Sequence, residues 1–211
     1  LSYSQDLNIV KYLPLKSGNI WVYSSYQYPF NINSRVKILM DSTFVYNNHL
    51  YYKARVTLSN PQGCFGYGSP YWQNAIRIDS LTGNIVLNFT NTGCGTYEIT
   101  IDSLKAKYRD TLKIFCFNEN WACQDTSNFQ IFSSNYPSKR FRFVNFELFG
   151  TRTYVKNIGL VYFMKGQGNM YCEQTLRGCV LDGILYGDTS MVVGINELSG
   201  SIPETFSLSQ N

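Results

Sequence analysis

SRVKILMDSTFVYNNHLYYKARVTLS, residues Ser34 to Ser59, is the stretch whose reading decides the fold. Val, Ile, Thr, Phe and Tyr crowd both sides of Asn47-Asn48, and β-branched and aromatic side chains suit a pleated, half-buried backbone. Asn tolerates the positive φ angles of a tight hairpin turn. The stretch therefore predicts a long antiparallel hairpin, with arms Ser34 to Tyr46 and His49 to Ser59.

Working outward, further strands are expected at 18–26, 74–79, 84–90, 96–103, 111–117, 153–155 and 160–164. Another at 176–181 turns at Asp182-Gly183, a strong tight-turn signal, into 184–186. In KRFRFVNFEL (139–148), Phe141 and Phe143 share one face, while Val144, Phe146 and Leu148 share the other, which predicts a bulge near Val144. Only 101–108 offers a short helix, and its neighbours favour strand continuation. The expected fold is all-β: one antiparallel domain over 1–195, with about ten to twelve strands in a strongly curved sheet that closes as an open barrel or a sandwich. Residues 196–211, NELSGSIPETFSLSQN, lose strand alternation and read as a linker-like tail.

The 211 residues include 17 Tyr and 14 Phe, and only 15% are charged, against roughly a quarter in typical globular chains. A chain of this size buries enough surface to build a core without a metal. The net charge of +4 is scattered, the nearest basic cluster being Lys139, Arg140 and Arg142. Nucleic-acid binding calls for a concentrated basic stripe or a recognisable motif, so no nucleic-acid partner is expected. No apolar run reaches the length of a membrane-spanning helix, so no transmembrane segment is expected.

Six cysteines stand at Cys64, Cys94, Cys116, Cys123, Cys172 and Cys179. Local clips are preferred among the possible connectivities: Cys64 with Cys94, Cys116 with Cys123, and Cys172 with Cys179. Zinc sites favour Cys-x-x-Cys knuckles with histidine, and neither a knuckle nor a second histidine is present, so no metal or cofactor is expected. Disulfides imply an oxidising compartment.

The tail PETFSLSQN (Pro203 to Asn211) resembles the entry to the C-terminal sorting region of proteins exported by the bacterial type IX secretion system. The stretches YLPLKSGNIWVY (12–23), RIDSLTGNIVLNF (77–89), TYVKNIGLVYF (153–163) and LDGILYGDT (181–189) resemble an uncharacterised secreted β domain that precedes such signals. The resemblance implies an address outside the cell or on the outer surface of a Gram-negative bacterium. It carries no activity. Leu1 to Gln5 reads as the remnant of a processed signal region, and the sorting domain itself would follow Asn211.

Chemistry is sparse. The one histidine, His49, lies beside the hairpin turn, where a side chain is usually exposed. Glu98 and Asp102 stand four apart, on one face of an unbroken strand, and are the pair a glycoside hydrolase would use. The turns 79–84 and 182–188 lack the alternating acids of a calcium loop, and GCFGYGSP (63–70) lacks the Lys-Ser/Thr of a phosphate loop. Tyr67, Tyr71, Trp72 and Trp121 are the candidate binding residues, because loop aromatics stack on sugars or anchor partners. No catalytic residue is assigned. The expected function is a non-enzymatic structural or adhesive module that self-assembles or contacts cell-surface and matrix components. The alternative is a lipid- or glycan-binding module with a curved-sheet pocket, and a glycoside hydrolase ranks third.

Overall fold

The computed structural model describes residues 7–62, 70–88, 98–114, 119–145 and 147–191. Two meanders dominate it. The first runs through β1 (Ile20–Tyr28), β2 (Ile32–Tyr46), β3 (His49–Leu58), β4 (Ala75–Ile78), β5 (Asn84–Asn88) and β6 (Glu98–Ser103). The second runs through β7 (Thr111–Ile114), β8 (Glu119–Asp125), β10 (Ser134–Val144), β11 (Leu148–Val155), β12 (Gly159–Gln167) and β13 (Met170–Leu181). Two short strands are appended: β9 (Asn128–Ile131) pairs with β10, and β14 (Ile184–Gly187) pairs with β13. Helical turns α1 (Leu7–Val10) and α2 (Pro70–Gln73) complete the elements.

Antiparallel pairing of β1 with β13 joins the meanders into one sheet of fourteen strands. Its two ends, β6 and β7, approach each other across a seam, so the sheet nearly closes into a barrel. The expected all-β, single-sheet architecture is thus present, as the barrel alternative.

The hairpin at the centre of the first meander forms as its sequence demands. Asn47 and Asn48 take φ of 49° and 60°, and Tyr46 pairs with His49 across the turn. At Asp182-Gly183, φ of 52° and 81° makes the equivalent turn between β13 and β14. Between β4 and β5, the Asp79 carboxylate accepts the Leu81 and Thr82 N–H groups at 2.9 and 3.3 Å, and Gly83 supplies the positive φ.

One expectation needs correction. The face switch in 139–148 is no bulge: β10 ends at Val144, β11 begins at Leu148, and the Asn145 N–H closes a turn onto the Leu148 carbonyl at 2.7 Å. Register shifts occur away from Val144, between Arg140 and Phe141 in the β8/β10 pair and in the β1/β13, β2/β3, β5/β6 and β11/β12 pairs.

The inward face carries the core. Trp21, Tyr23, Ile38, Ile76, Trp121, Phe141 and Tyr154 are all fully buried there or nearly so, each aliphatic or aromatic burial contributing roughly 1.5–3 kcal/mol. Their polar tips are satisfied: Trp21 Nε1 donates to the Ile158 carbonyl at 2.7 Å, and the Tyr23 hydroxyl donates to the Leu160 carbonyl at 2.8 Å. Leu13, just after α1, is buried and packs into this core. Gly150 makes room for the aromatic pair opposite, since a Cβ there would lie 2.5 Å from Phe143 and 2.8 Å from Trp121.

Two of the three preferred cysteine clips, Cys116 with Cys123 and Cys172 with Cys179, do not form. Cys123 and Cys179 are buried free thiols. Cys172 and Cys179 lie on one continuous strand, β13, and seven residues of extended chain span roughly 23 Å, far beyond the Cα separation a disulfide bridges. Cys123 sits opposite Asp110, at the end of the β7–β8 hairpin away from its turn. Cys172 is disulfide-bonded, to a partner outside the described residues. Cys64, Cys94, Cys116 and Tyr67, with the tail 196–211, also lie outside them.

Candidate functional site

Two of the aromatic candidates, Trp72 and Trp121, are not where a ligand could reach them. Trp72, on α2, is 2% exposed and stacks on Trp21 with centroids 5.8 Å apart. Trp121, on β8, is fully buried. Of Tyr71 only the backbone, in α2, is described.

Trp121 instead belongs to a charged network inside the barrel. The Arg152 guanidinium lies 3.3 Å over its ring and donates to the Ile101 carbonyl at 2.9 Å and the Asp102 carboxylate at 2.8 Å. The Tyr154 hydroxyl donates to the same carboxylate at 2.5 Å. Glu119 accepts from Trp121 Nε1 at 2.9 Å and pairs with Lys165 at 2.7 Å. The network ties β6 to β8, β11 and β12 across the seam where the sheet does not close by backbone hydrogen bonds.

The Glu98/Asp102 pair therefore does not face one cleft. The register shift that leaves Ile101 unpaired between Ile85↔Asp102 and Val86↔Thr100 turns the two acids to opposite faces of β6. Asp102 points inward, and Glu98 lies outside with Tyr51 and Arg77. There the Tyr51 hydroxyl donates to Glu98, while Arg77 Nε donates to Tyr51 at 3.0 Å and its guanidinium pairs with Glu98 at 3.3 Å. Burial alone would raise the Glu98 carboxyl, but these donors hold its pKa below the usual glutamate range. The same burial and the carboxylate push the Tyr51 phenol up to about 12. His49 is exposed at the hairpin end. Among the described residues no three of His, Cys, Asp and Glu gather into a metal-binding group.

Register assembles a different site on the outer wall of the second meander. Arg140 pairs with Thr153, Thr153 with Tyr162 and Tyr162 with Thr175, forming one transverse row over β10–β13. Arg142, Thr151 and Met164 form the row beside it. Because side chains alternate along each strand, both rows present one face outward, while Phe141 and Arg152 between them point in. The rows line a groove of about 610 Å3, bordered by Phe129 and Ile131 of β9 and by Gln124 of β8.

Among the described residues, no acidic side chain lines this groove. Among the described residues, neither Arg140 nor Arg142 forms an ion pair. Asp125, the cross-strand neighbour of Arg140, gives its carboxylate to the Ser127 N–H at 2.8 Å and the Ser127 hydroxyl at 2.9 Å. Burial, followed by the neighbouring Glu173 carboxylate, pushes the Tyr162 phenol up to about 12, so it stays a neutral hydroxyl. The arrangement offers two guanidinium forks flanked by uncharged hydroxyl and amide groups, a set that receives carboxylates and sugar hydroxyls together. The sequence shows the two arginines, but their partners come from three other strands.

No protein-family model and no curated protein matches the chain. Two solved structures are similar in trace. One, from Bacteroides fragilis, is described as an exported protein with a YmcC-like fold; it has 9% identity and a TM-score of 0.49, covering 78% of this chain and 96% of its own. The other, from Parabacteroides distasonis, is described as a lipoprotein, with 15% identity, a TM-score of 0.44 and the same coverage. Similarity of this degree transfers no function.

Proposed function

We propose that the protein is a non-catalytic adhesive module of the extracytoplasmic space that holds an acidic oligosaccharide in the groove on its outer wall. The observation that carries this reading is a pair of arginines that, among the described residues, have no ion-pair partner and sit in a concave surface with no acid in its lining. Unpaired guanidinium groups on a rigid sheet present fixed donors to a carboxylate, and the adjoining Thr, Tyr and Gln side chains match sugar hydroxyls. The disulfide at Cys172 and the low overall charge support an oxidising compartment. The sorting-like tail supports export by the type IX route. Self-assembly through strand edges has less to recommend it, because the two ends of the main sheet face each other.

Isothermal titration with tetragalacturonate, and with uncharged cellotetraose as control, tests the reading. Binding of the acidic oligosaccharide is expected to weaken as salt rises and to fall at least tenfold in an Arg140→Ala/Arg142→Ala double variant. Equal binding of the neutral sugar, an unaffected double variant, or no binding by the wild-type chain would overturn it.

A further inference from the structure

The second wall of the outer groove stands apart from the barrel. β9 pairs with the first residues of β10, from Asn128↔Pro137 to Ile131↔Ser134, as a two-stranded ribbon of its own. Pairing of β10 with the barrel wall begins only at Ser138, opposite Val155. At the base of the ribbon the N–H and the hydroxyl of Ser138 both donate to the Ser127 carbonyl, at 2.9 and 2.7 Å, and the Lys156 N–H donates to the Pro137 carbonyl at 2.9 Å. Beyond that base, among the described residues, no hydrogen bond joins 128–136 to the wall beneath.

The ribbon nevertheless crosses the wall. Its six residues from Ser138 to Phe132 reach roughly 20 Å, against roughly 14 Å for the three strand spacings from β10 to β13. The tip meets β14, the strand beside β13. There the Phe132 ring lies against Tyr186 with centroids 6.1 Å apart, and a Cβ on Gly187 would fall 2.4 Å from Phe132 Cε1. The missing side chain of Gly187 is thus the notch that seats Phe132. Phe is an odd choice for this turn: Phe132 and Ser133 take φ of 50° and 63°, angles that suit Asn-Gly and are costly for a bulky residue. Such strain persists where the surroundings hold it, and it gathers at ligand clamps.

β9 is the side of the ribbon that faces the groove. Phe129, Gln130 and Ile131 line it together with Arg140 and Arg142, whereas none of Ser134 to Pro137 does. Pairs alternate outward from the hydrogen-bonded pair that flanks a two-residue turn, here Ile131 with Ser134, so Gln130 turns its backbone N–H and C=O to the free edge. Thr153, in the outward row of the wall, is 1% exposed, which fits a floor lying under an overhang.

We infer that this ribbon is a strap that holds the bound oligosaccharide against the two arginines, with Phe132 and Gly187 as the positioning residues that keep it latched. The inference rests on the reading of the groove as an acidic-oligosaccharide site. Gln130 brings a main-chain donor and acceptor to sugar hydroxyls from the overhang, and Phe129 and Ile131 offer apolar surface to the ring faces. Phe132 and Gly187 act only through the ribbon, since neither lines the groove.

Giving the tip the residues its turn prefers separates holding from folding. In Phe132→Asn/Ser133→Gly the better turn offsets the lost contact with Tyr186, and the thermal midpoint is expected to stay level or rise. Isothermal titration of the full chain with tetragalacturonate is expected to show affinity at least tenfold weaker, with the salt dependence of the wild type because Arg140 and Arg142 remain. Phe132→Tyr keeps a ring over Gly187 and is expected to bind within about twofold of wild type. Unchanged affinity in the double variant, a loss accompanied by a collapsed midpoint, or a flattened salt dependence would each overturn the strap and leave the oligosaccharide reading standing. No binding by the wild-type chain would overturn both.

Discussion

Arg152 and the pair Arg140 and Arg142 stand on hydrogen-bonded neighbouring strands, yet the fold treats them in opposite ways. Arg152 faces inward and is 4% exposed; it is held by Asp102, by the Ile101 carbonyl and by the face of Trp121. Arg140 and Arg142 face outward into a groove with no acid in its lining. A charge taken out of water must be matched on the spot, because desolvation is large and the low dielectric magnifies any imbalance. A charge left at the surface carries no such demand, so lack of a partner there signals availability. The same side chain is structural on one face of the sheet and available for binding on the other.

Arg152→Leu is the sharpest way to break this comparison. It strips the buried Asp102 carboxylate of its guanidinium partner while the Tyr154 hydroxyl remains, and leaves Glu119 with one cation fewer nearby. Removing one partner of a buried pair typically destabilises by about 3–5 kcal/mol, so denaturant unfolding is expected to show a loss of that order. The seam between β6 and β7 is also expected to open first, read as faster amide exchange in β6 than in β5. A loss below about 1 kcal/mol would mean that the network is ornamental to closure.

The outer Tyr51–Arg77–Glu98 cluster lies between these extremes, and its response to acid grades the comparison. Glu98 is 31% exposed at its side chain and its folded pKa lies below the ordinary value. A depressed carboxylate contributes stability that is present above its unfolded pKa, near 4.3, and is lost as pH falls through the folded value. Glu98→Gln is therefore expected to flatten part of the stability loss below about pH 4.3. Solvent screening keeps the contribution under about 1 kcal/mol. Identical acid limbs in variant and wild type would assign the loss to other carboxylates.

What could be read from the sequence divides along the same line, between local and register-dependent features. The Asn47-Asn48 and Asp182-Gly183 turns were legible because two residues set their own backbone angles. The all-β fold followed from strand-forming composition repeated between turns. Errors arose wherever a single residue changed the facing. Ile101, left unpaired, sends Glu98 and Asp102 to opposite sides of β6, although their spacing of four places them together on a regular strand. The phase change at Val144 looked like a bulge because strand alternation cannot separate a bulge from a tight connection. The cysteine spacing suggested clips across loops, but Cys172 and Cys179 share one continuous strand. Trp72 and Trp121 looked like loop aromatics and are core. Arg140 and Arg142 were visible as part of a basic run, yet the Thr153–Tyr162–Thr175 row that makes a groove of them exists only through pairing.

The double variant Arg140→Ala/Arg142→Ala sharpens the comparison from its quiet side. The two guanidinium groups stand two residues apart on one face of β10 with no ion pair to either among the described residues, so truncating them removes their mutual repulsion and the weaker attraction of Arg140 to the Asp125 carboxylate. Surface substitutions away from caps and networks change stability by roughly 0.5 kcal/mol or less, and the thermal midpoint is expected to stay level or rise slightly. A fall comparable to that of Arg152→Leu would show that the outer arginines hold the sheet together, and the groove would lose its claim as a site. A level midpoint, set beside loss of tetragalacturonate binding, separates the two roles: structural charge is the charge whose removal the fold registers, and functional charge is the charge whose removal only the ligand does.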